Sequence, residues 1–106
     1  VTPDGDIYPC HRFAGMPEFR MGNVLDGTQL NETIRRQFTA ATVLAKPECE
    51  NCFAKYYCSG GCAANNFNEN GDILKPHKMS CELERKRIEC AIMIKAAEAE
   101  MAEKDV

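Results

Sequence analysis

Four of the seven cysteines lie within fourteen residues, as Cys49, Cys52, Cys58 and Cys62, with the spacing C-x2-C-x5-C-x3-C. Thiols this close together serve in disulfide bonds, in structural zinc sites or in iron–sulfur clusters. The other three cysteines are Cys10, Cys81 and Cys90. The choice among these chemistries depends on the whole set and on the elements that carry it.

A disulfide scaffold is the least favoured of the three. The number of cysteines is odd, and the sequence starts without the basic and apolar regions of a signal peptide. Cysteines at this spacing, without a secretory context, are more typical of metal binding. We therefore expect free thiols that bind a metal, in a cytoplasmic protein.

Zinc is the next alternative. A four-cysteine zinc site usually brings two C-x2-C pairs separated by a loop. Here the second pair, Cys58 and Cys62, is C-x3-C and follows Cys52 after only five residues. Six candidate thiols also exceed the four that one zinc ion needs. Thiolate-only ligands at irregular spacing favour iron–sulfur clusters, and zinc remains the alternative.

The elements that must position these cysteines are predicted to form a small α+β fold. Residues 1–8 predict a short N-terminal β-hairpin, because Thr2-Pro3-Asp4-Gly5 is typical of a turn. Residues 21–25 predict another short strand. Apolar residues at helical spacing predict an amphipathic helix over residues 29–45, which ends near Pro47.

A second short hairpin and a long helix are predicted after the cysteine-rich segment. Asn70-Gly71, within residues 67–74, is typical of a two-residue hairpin turn. The final helix is predicted from about Cys81 to Lys104, with Ser80 as its N-cap.

The final helix separates Cys81 from Cys90. Cys81 falls in the first turn, where unpaired N–H groups and the positive end of the helix dipole favour a thiolate. Cys90 lies nine residues further on, about 13 Å along the axis and on the opposite side at about 100° per residue. These two thiols cannot bind one compact centre, and Cys90 is interpreted as a buried small hydrophobic residue.

Two features surround Cys58. Gly60 and Gly61 let the chain reverse before Cys62, so Cys58 and Cys62 need not face the same centre. Sequence-adjacent cysteines serve different clusters in two-cluster ferredoxins. Tyr56 and Tyr57 are interpreted as shielding a cluster from water.

Length and charge exclude several functions. The 106 residues make one domain, 1–106, and the absence of an initiator Met suggests a fragment of a larger protein. A net charge of −3 gives no general attraction to nucleic acid or to an anionic membrane. No apolar run approaches about 20 residues, so no transmembrane helix is expected. A cluster that cleaves S-adenosylmethionine would want C-x3-C-x2-C, but Asn65 stands where that pattern should end. This chain alone is therefore not expected to be catalytic.

The pattern of a glycine and six cysteines resembles the SPASM domain, the C-terminal auxiliary-cluster domain of radical SAM peptide-modifying enzymes. The matching residues are Gly5-x4-Cys10, then Cys49-x2-Cys52-x5-Cys58-x3-Cys62, then Cys81. The family pattern begins with one more cysteine, which would lie before Val1. Residues 5–11, 52–62 and 90–95 are most similar to the maturases of six-cysteine-in-forty-five (SCIFF) peptides. Those enzymes form thioether cross-links from a cysteine sulfur to a peptide carbon.

The resemblance implies two [4Fe–4S] clusters. Cys49, Cys52, Cys58 and Cys81 would hold a complete one. Cys10 and Cys62 would bind a second, whose other ligands lie upstream or come from the substrate's own cysteine. S-adenosylmethionine would bind only in a separate barrel domain. That radical SAM core and a cysteine-rich precursor peptide are the expected partners, with no nucleic acid and no membrane. Two other functions remain open: a free-standing zinc-binding peptide-interaction module and a small ferredoxin-like electron carrier.

Overall fold

The computed structural model describes residues 1–27 and 29–105. Within them, the strands are β1 (Asp6–Ile7) and β2 (Gly22–Asn23), and the helices are α1 (Glu32–Ala40), α2 (Lys55–Cys58), α3 (Ala63–Asn70) and α4 (Lys78–Lys104). Single 3-10 turns cover His11–Phe13, Pro17–Phe19, Val43–Ala45 and Pro47–Cys49. The chain is a small α+β fold with a long C-terminal helix, as the sequence predicts.

The two strands form an antiparallel pair in which Asp6 lies opposite Asn23 and Ile7 opposite Gly22. The predicted turn before β1 is present, since the Gly5 N–H donates to the Thr2 carbonyl at 2.9 Å. Within residues 1–8 the Thr2 N–H also donates to the Asp6 carbonyl at 2.9 Å. The strand that follows the turn pairs mainly with β2, however, because the N–H groups of residues 21 and 24 donate to the carbonyls of residues 7 and 5. The hairpin therefore joins two segments that the sequence predicts separately.

Helix α1 is shorter than the predicted range of residues 29–45. Its N-cap is Asn31, whose side-chain oxygen accepts the N–H groups of Thr33 and Ile34 at 3.0 and 3.2 Å. These bonds satisfy two of the unpaired donors at the helix start. The helix ends at Ala40, and residues 43–45 form a separate 3-10 turn. Apolar spacing predicts the buried face of this segment but not its caps.

The predicted second hairpin over residues 67–74 is wrong. Residues 63–70 form α3, and Gly71 ends that helix in the left-handed conformation at φ 69°. Asn-Gly suits a helix C-terminus as well as a hairpin turn, because both need a residue with positive φ. After Gly71 the chain turns again, with the Asp72 carboxylate accepting the Leu74 N–H at 2.8 Å.

Helix α4 begins at Lys78, three residues earlier than predicted. Its N-cap is His77, whose Nδ1 accepts the Ser80 N–H at 3.2 Å, so Ser80 lies inside the first turn. From Glu89 to Asp105 every residue of the helix and its end is exposed. The molecule therefore measures 65 × 28 × 19 Å. Among residues 1–27 and 29–105, no helix combines the length and apolarity that crossing a membrane requires.

The hydrophobic core joins the N-terminal third of the chain to α3 and the loop after it. Its buried members are Phe13, Phe19, Ala64 and Ile73. The rings of Phe13 and Phe19 lie 4.4 Å apart, and Phe67 meets Phe19 edge-on at 4.7 Å. Such aromatic pairs add about 0.5–1.5 kcal/mol each beyond their burial. This core fixes α3, the helix that follows directly on the cysteine-rich segment.

Candidate metal centre

One pocket brings together thiols from both ends of the cysteine pattern. Its ten lining residues are Glu48, Cys49, Cys52, Ala54, Lys55, Cys58, Gly60, Cys81, Glu84 and Arg85. Cys49 is 7% exposed, and Cys52, Cys58 and Cys81 are half-buried. These are the four residues that the resemblance assigns to a complete cluster.

Tight local turns position the first three thiols. The Cys49 N–H donates to the Lys46 carbonyl at 3.0 Å, and the Cys52 N–H donates to the Cys49 carbonyl at 3.2 Å. Cys58 is the last residue of the one-turn helix α2, where its N–H donates to the Ala54 carbonyl at 2.9 Å. Consecutive turns therefore fold ten residues around one side of the pocket.

Asn66 determines where the fourth thiol enters. Its side chain is fully buried, and its Nδ2 donates to the carbonyls of Gly60 at 3.1 Å and Ile73 at 3.2 Å. Its Oδ1 accepts the backbone N–H of His77, the N-cap of α4, at 2.9 Å. One amide thus ties the loop after Cys58 to the start of the helix that carries Cys81.

The chain reverses between Cys58 and Cys62. Ser59, Gly60 and Gly61 take successive positive φ values of 59°, 88° and 80°. Cys58 remains in the pocket, while Cys62 is exposed at the N-cap of α3. Only glycine adopts this conformation without strain, which explains the two glycines at this point.

Burial dominates the electrostatics of the pocket. It raises the pKa of the Cys49 thiol, which the nearby Lys46 charge lowers in part. It also raises the pKa of the Cys81 thiol, where Arg85 opposes the shift and the other three thiols of the pocket add to it. Without a metal, these thiols therefore favour their neutral form. A bound metal ion removes the protons, so that metal uptake would release them.

Cys62 lies in the opposite environment. The backbone N–H of Asn65, and then that of Ala64, lower the pKa of its thiol, and Arg12 lowers it further. The Arg12 guanidinium lies 3.5 Å from the Cys62 sulfur and donates to the Asn65 side chain at 2.6 Å. This arrangement stabilises an exposed thiolate.

Cys10 is connected to Cys62 through Arg12, which lies two residues after Cys10 and contacts the Cys62 sulfur. It is exposed and precedes the 3-10 turn His11–Phe13, which carries Arg12 toward Cys62. Cys10 and the exposed His11 also line a shallow depression with Val1, Thr2, Pro3, Tyr8 and Ala14. The two cysteines assigned to a second cluster are thus both exposed, and Cys62 does not line this depression.

Two interpretations of residues near the pocket are wrong. Cys90 is exposed and not a buried hydrophobic residue, like every other residue of α4 from Glu89 onward. It lies outside the pocket, as the helix geometry predicts. Tyr56 and Tyr57 are 73% and 81% exposed and do not line the pocket, so they do not shield it. Their one-turn helix directs Cys58 inward and leaves both tyrosines on the outside.

The thiols are free and form no compact single-ion site in the described part of the chain. All seven cysteines are unpaired, so the structure contains no disulfide bond between them. Within residues 1–27 and 29–105, no three His, Cys, Asp or Glu side chains are grouped closely enough to hold a single metal ion. The four pocket thiols therefore surround a space without meeting at one point.

Sequence reasoning missed two buried polar residues, Lys46 and Asn66. They are 4% and 0% exposed, although lysine and asparagine are usually found at the surface. No periodicity or spacing identifies them, because their partners lie up to fourteen residues away in the chain. The one sequence signal is Gly60, because a glycine often marks a point where another group approaches the backbone closely.

Comparison with known proteins shows what the chain is similar to. No family model matches it. An uncharacterized protein of Archaeoglobus fulgidus is 35% identical over 91 residues, which cover 81% of this chain and 21% of the relative. The chain thus spans about a fifth of the length of that relative.

Proposed function

We propose that this chain is the auxiliary cluster domain of a radical SAM peptide maturase, and that Cys49, Cys52, Cys58 and Cys81 bind a [4Fe–4S] cluster. One observation carries the proposal. Thiols from the 3-10 turn at Cys49, from the end of α2 and from the start of α4 line a single pocket. Free cysteines without a ligand pack as small hydrophobic residues, and packing alone gives no reason to gather four of them.

The donor set fits a cluster better than a single ion. Zinc holds four thiolates at about 2.3 Å in a tetrahedron, which places the sulfur atoms about 3.8 Å apart. No such grouping of three or more ligands occurs in the described part of the chain. A cluster spreads its four cysteine ligands over four irons and accepts a wider set. When bound, it would transfer single electrons.

We further propose that Cys10 and Cys62 bind a second cluster together with ligands outside this chain. Both thiols are exposed, so a peptide cysteine has access to them. The helix start and Arg12 hold Cys62 toward its thiolate form, which is the form that binds metal. In this role the surface beside Arg12 receives the thiol of a cysteine-rich precursor peptide.

The wider context of the proposal comes from the resemblance. A radical SAM core in the same protein would bind S-adenosylmethionine, and the enzyme would form thioether cross-links in the peptide. The similarity to a segment of a longer archaeal protein supports a role as one domain among others. A cytoplasmic location fits free thiols, which that compartment keeps reduced.

Anaerobic reconstitution with ferrous iron and sulfide tests the cluster assignment. We expect visible absorbance and about four irons per chain for one cluster, or about eight for two. Cys81→Ala is expected to lower the iron content, because it removes a pocket thiol. Cys90→Ala is the matched control on the same helix and is expected to leave it unchanged.

Two results would contradict the proposal. Tight zinc binding without sulfide uptake would favour the zinc module. Equal loss of iron in Cys81→Ala and Cys90→Ala would show that the pocket does not define the ligands. The enzymatic context has its own test, since a C-x3-C-x2-C motif encoded upstream of Val1 would support it.

A further inference from the structure

A single lysine ammonium is buried beside the pocket. Lys46 is 4% exposed, and its Nζ donates to the carbonyls of Ser59 and Gly60, each at 3.3 Å. None of the ion pairs among residues 1–27 and 29–105 involves Lys46. A buried charge without an opposite charge is costly, so this position suggests an anion that the protein atoms do not supply.

Two segments of the chain fix the position of the Lys46 ammonium. Lys46 begins the turn that ends at Cys49, and its positive charge partly offsets the effect of burial, which raises the pKa of the Cys49 thiol. The two carbonyls that hold it belong to the residues that directly follow Cys58. Lys46 therefore lies between the two segments that bring the first three thiols to the pocket.

The Lys46 side chain packs against the backbone of Gly60, in the space that a side chain on Gly60 would occupy. A Cβ atom on Gly60 would lie 2.4 Å from Lys46 Cδ and 2.6 Å from Nζ, too close for real atoms. Gly60 also has φ 88°, which already disfavours a side chain. The absence of a side chain at Gly60 thus serves both the chain reversal and the burial of the ammonium.

The charges that line the pocket do not replace Lys46, which lies beside the pocket and not in its lining. Glu48 and Glu84 are negative, while Lys55 and Arg85 are positive, so these four cancel in sum. Lys55 is only half-buried, and its Nζ donates to the Glu50 carbonyl at 2.9 Å. Lys46 is the buried positive charge that remains.

We propose that Lys46 is the counter-cation of the cluster and raises its reduction potential. The inference rests on the proposed function, because it takes the anion to be the four thiolates with their iron–sulfur core. Reduction adds one electron to this anion, and a nearby buried cation favours the reduced form. Lys46 acts through the field at the cluster and is not itself a ligand.

The test compares Lys46→Met with Lys75→Met in the reconstituted chain. Lys75 is exposed and lies outside the pocket, so both variants lose one positive charge but only one loses it beside the pocket. We expect the equilibrium constant for reduction to fall about tenfold in Lys46→Met, a potential lower by about 59 mV for one electron. Lys75→Met should keep the potential of the parent chain.

The outcomes separate this inference from the cluster assignment. An unchanged potential in a fully loaded Lys46→Met chain would overturn the counter-cation and leave the cluster standing. Failure of the parent chain to take up iron would instead remove the proposed function itself.

If Lys46→Met takes up no iron, its potential has no meaning. The free energy of unfolding of the metal-free variant is then compared with that of the metal-free parent chain. A counter-cation without its anion does not stabilise the fold, and the Gly60 carbonyl keeps its bond from Asn66. We therefore expect metal-free Lys46→Met to be at least as stable as the parent chain. A less stable metal-free variant would mean that Lys46 only braces the loop, which overturns the proposal.

Discussion

The chain places its cysteines in two neighbourhoods that differ in burial and in charge. The pocket of Cys49, Cys52, Cys58 and Cys81 withdraws its thiols from water, and burial raises the pKa of two of them. Cys62 lies in solvent at a helix start, where backbone N–H groups lower the pKa of its thiol. Only three residues separate Cys58 from Cys62, yet their surroundings are opposite.

The difference teaches how one segment can serve two tasks. Under the proposed function, the buried set of thiols would hold a metal centre that needs no further ligand, and metal entry would release protons from them. An exposed thiol with a lowered pKa forms the reactive thiolate more readily and would be available to a partner from outside. Three residues with positive φ suffice to separate the two environments.

The largest effect is expected when the hydrogen bonds of Asn66, which hold the pocket together, are removed. Asn66→Ala removes three hydrogen bonds and leaves the Ile73 carbonyl and the His77 N–H without this partner, while the Gly60 carbonyl keeps its bond from Lys46. Since each buried unsatisfied group costs about 1–3 kcal/mol, we expect a loss of about 3 kcal/mol in the free energy of unfolding. Chemical denaturation of the metal-free chain measures it.

The adjacent Asn65 supplies the matched control. Asn65 is half-buried and accepts one hydrogen bond, from Arg12 on the Cys62 side. Asn65→Ala is therefore expected to cost less than about 1 kcal/mol. If both variants lost equal stability, Asn66 would not hold the pocket in the way described.

A second effect contrasts the thiols directly. In the metal-free chain we expect Cys62 to be alkylated at least about tenfold faster than Cys49, because a buried thiol reacts only after local opening. The alkylation rate rises with pH as the thiolate forms. A lowered pKa moves that rise to lower pH for Cys62, and a raised pKa moves it to higher pH for Cys49. Mass spectrometry of peptides after timed alkylation gives both profiles.

Arg12→Gln sharpens this contrast. The variant removes a positive charge 3.5 Å from the Cys62 sulfur and leaves the stronger backbone contribution in place. The pH profile of Cys62 should move upward while that of Cys49 stays where it is. A profile of Cys62 that matches an ordinary free cysteine in the parent chain would refute the assigned thiolate.

The smallest expected effect concerns the start of α4, which carries Cys81. His77→Ala removes the side chain that accepts the Ser80 N–H, and we expect a loss of about 1 kcal/mol in the free energy of unfolding. Ser80→Ala should cost less than His77→Ala, since it loses the contact of the Ser80 hydroxyl with His77 Nδ1 at 2.9 Å but keeps the bond from the Ser80 N–H to that nitrogen. A larger loss in Ser80→Ala would restore the sequence-based choice of Ser80 as the cap.

The sequence predicts much of the site, because thiols are rare and their spacing carries information. The resemblance groups Cys81 with the three earlier cysteines, helix geometry leaves out Cys90, and the pocket has the same membership. That these thiols bind a cluster stays a prediction. The small α+β fold and the long final helix also follow from turn residues and helical spacing.

The sequence-based predictions that failed share a physical cause. Asn70-Gly71 suits two structures that both require positive φ, and packing of α3 on the phenylalanine core decides between them. Lys46 and Asn66 matter through partners distant in the chain, which no local pattern reports. The caps at Asn31 and His77 were missed because apolar spacing describes the middle of a helix and not its ends.

The position of Cys81 also has a consequence for biosynthesis. It lies twenty-three positions after Cys58 in the chain. At about 5–20 residues per second, a ribosome therefore needs roughly one to five seconds to add it after the third thiol of the pocket is made. During that interval the nascent chain carries three thiols of an unfinished pocket, and under the proposed function the delivery of an inorganic centre would have to wait for the final helix to emerge.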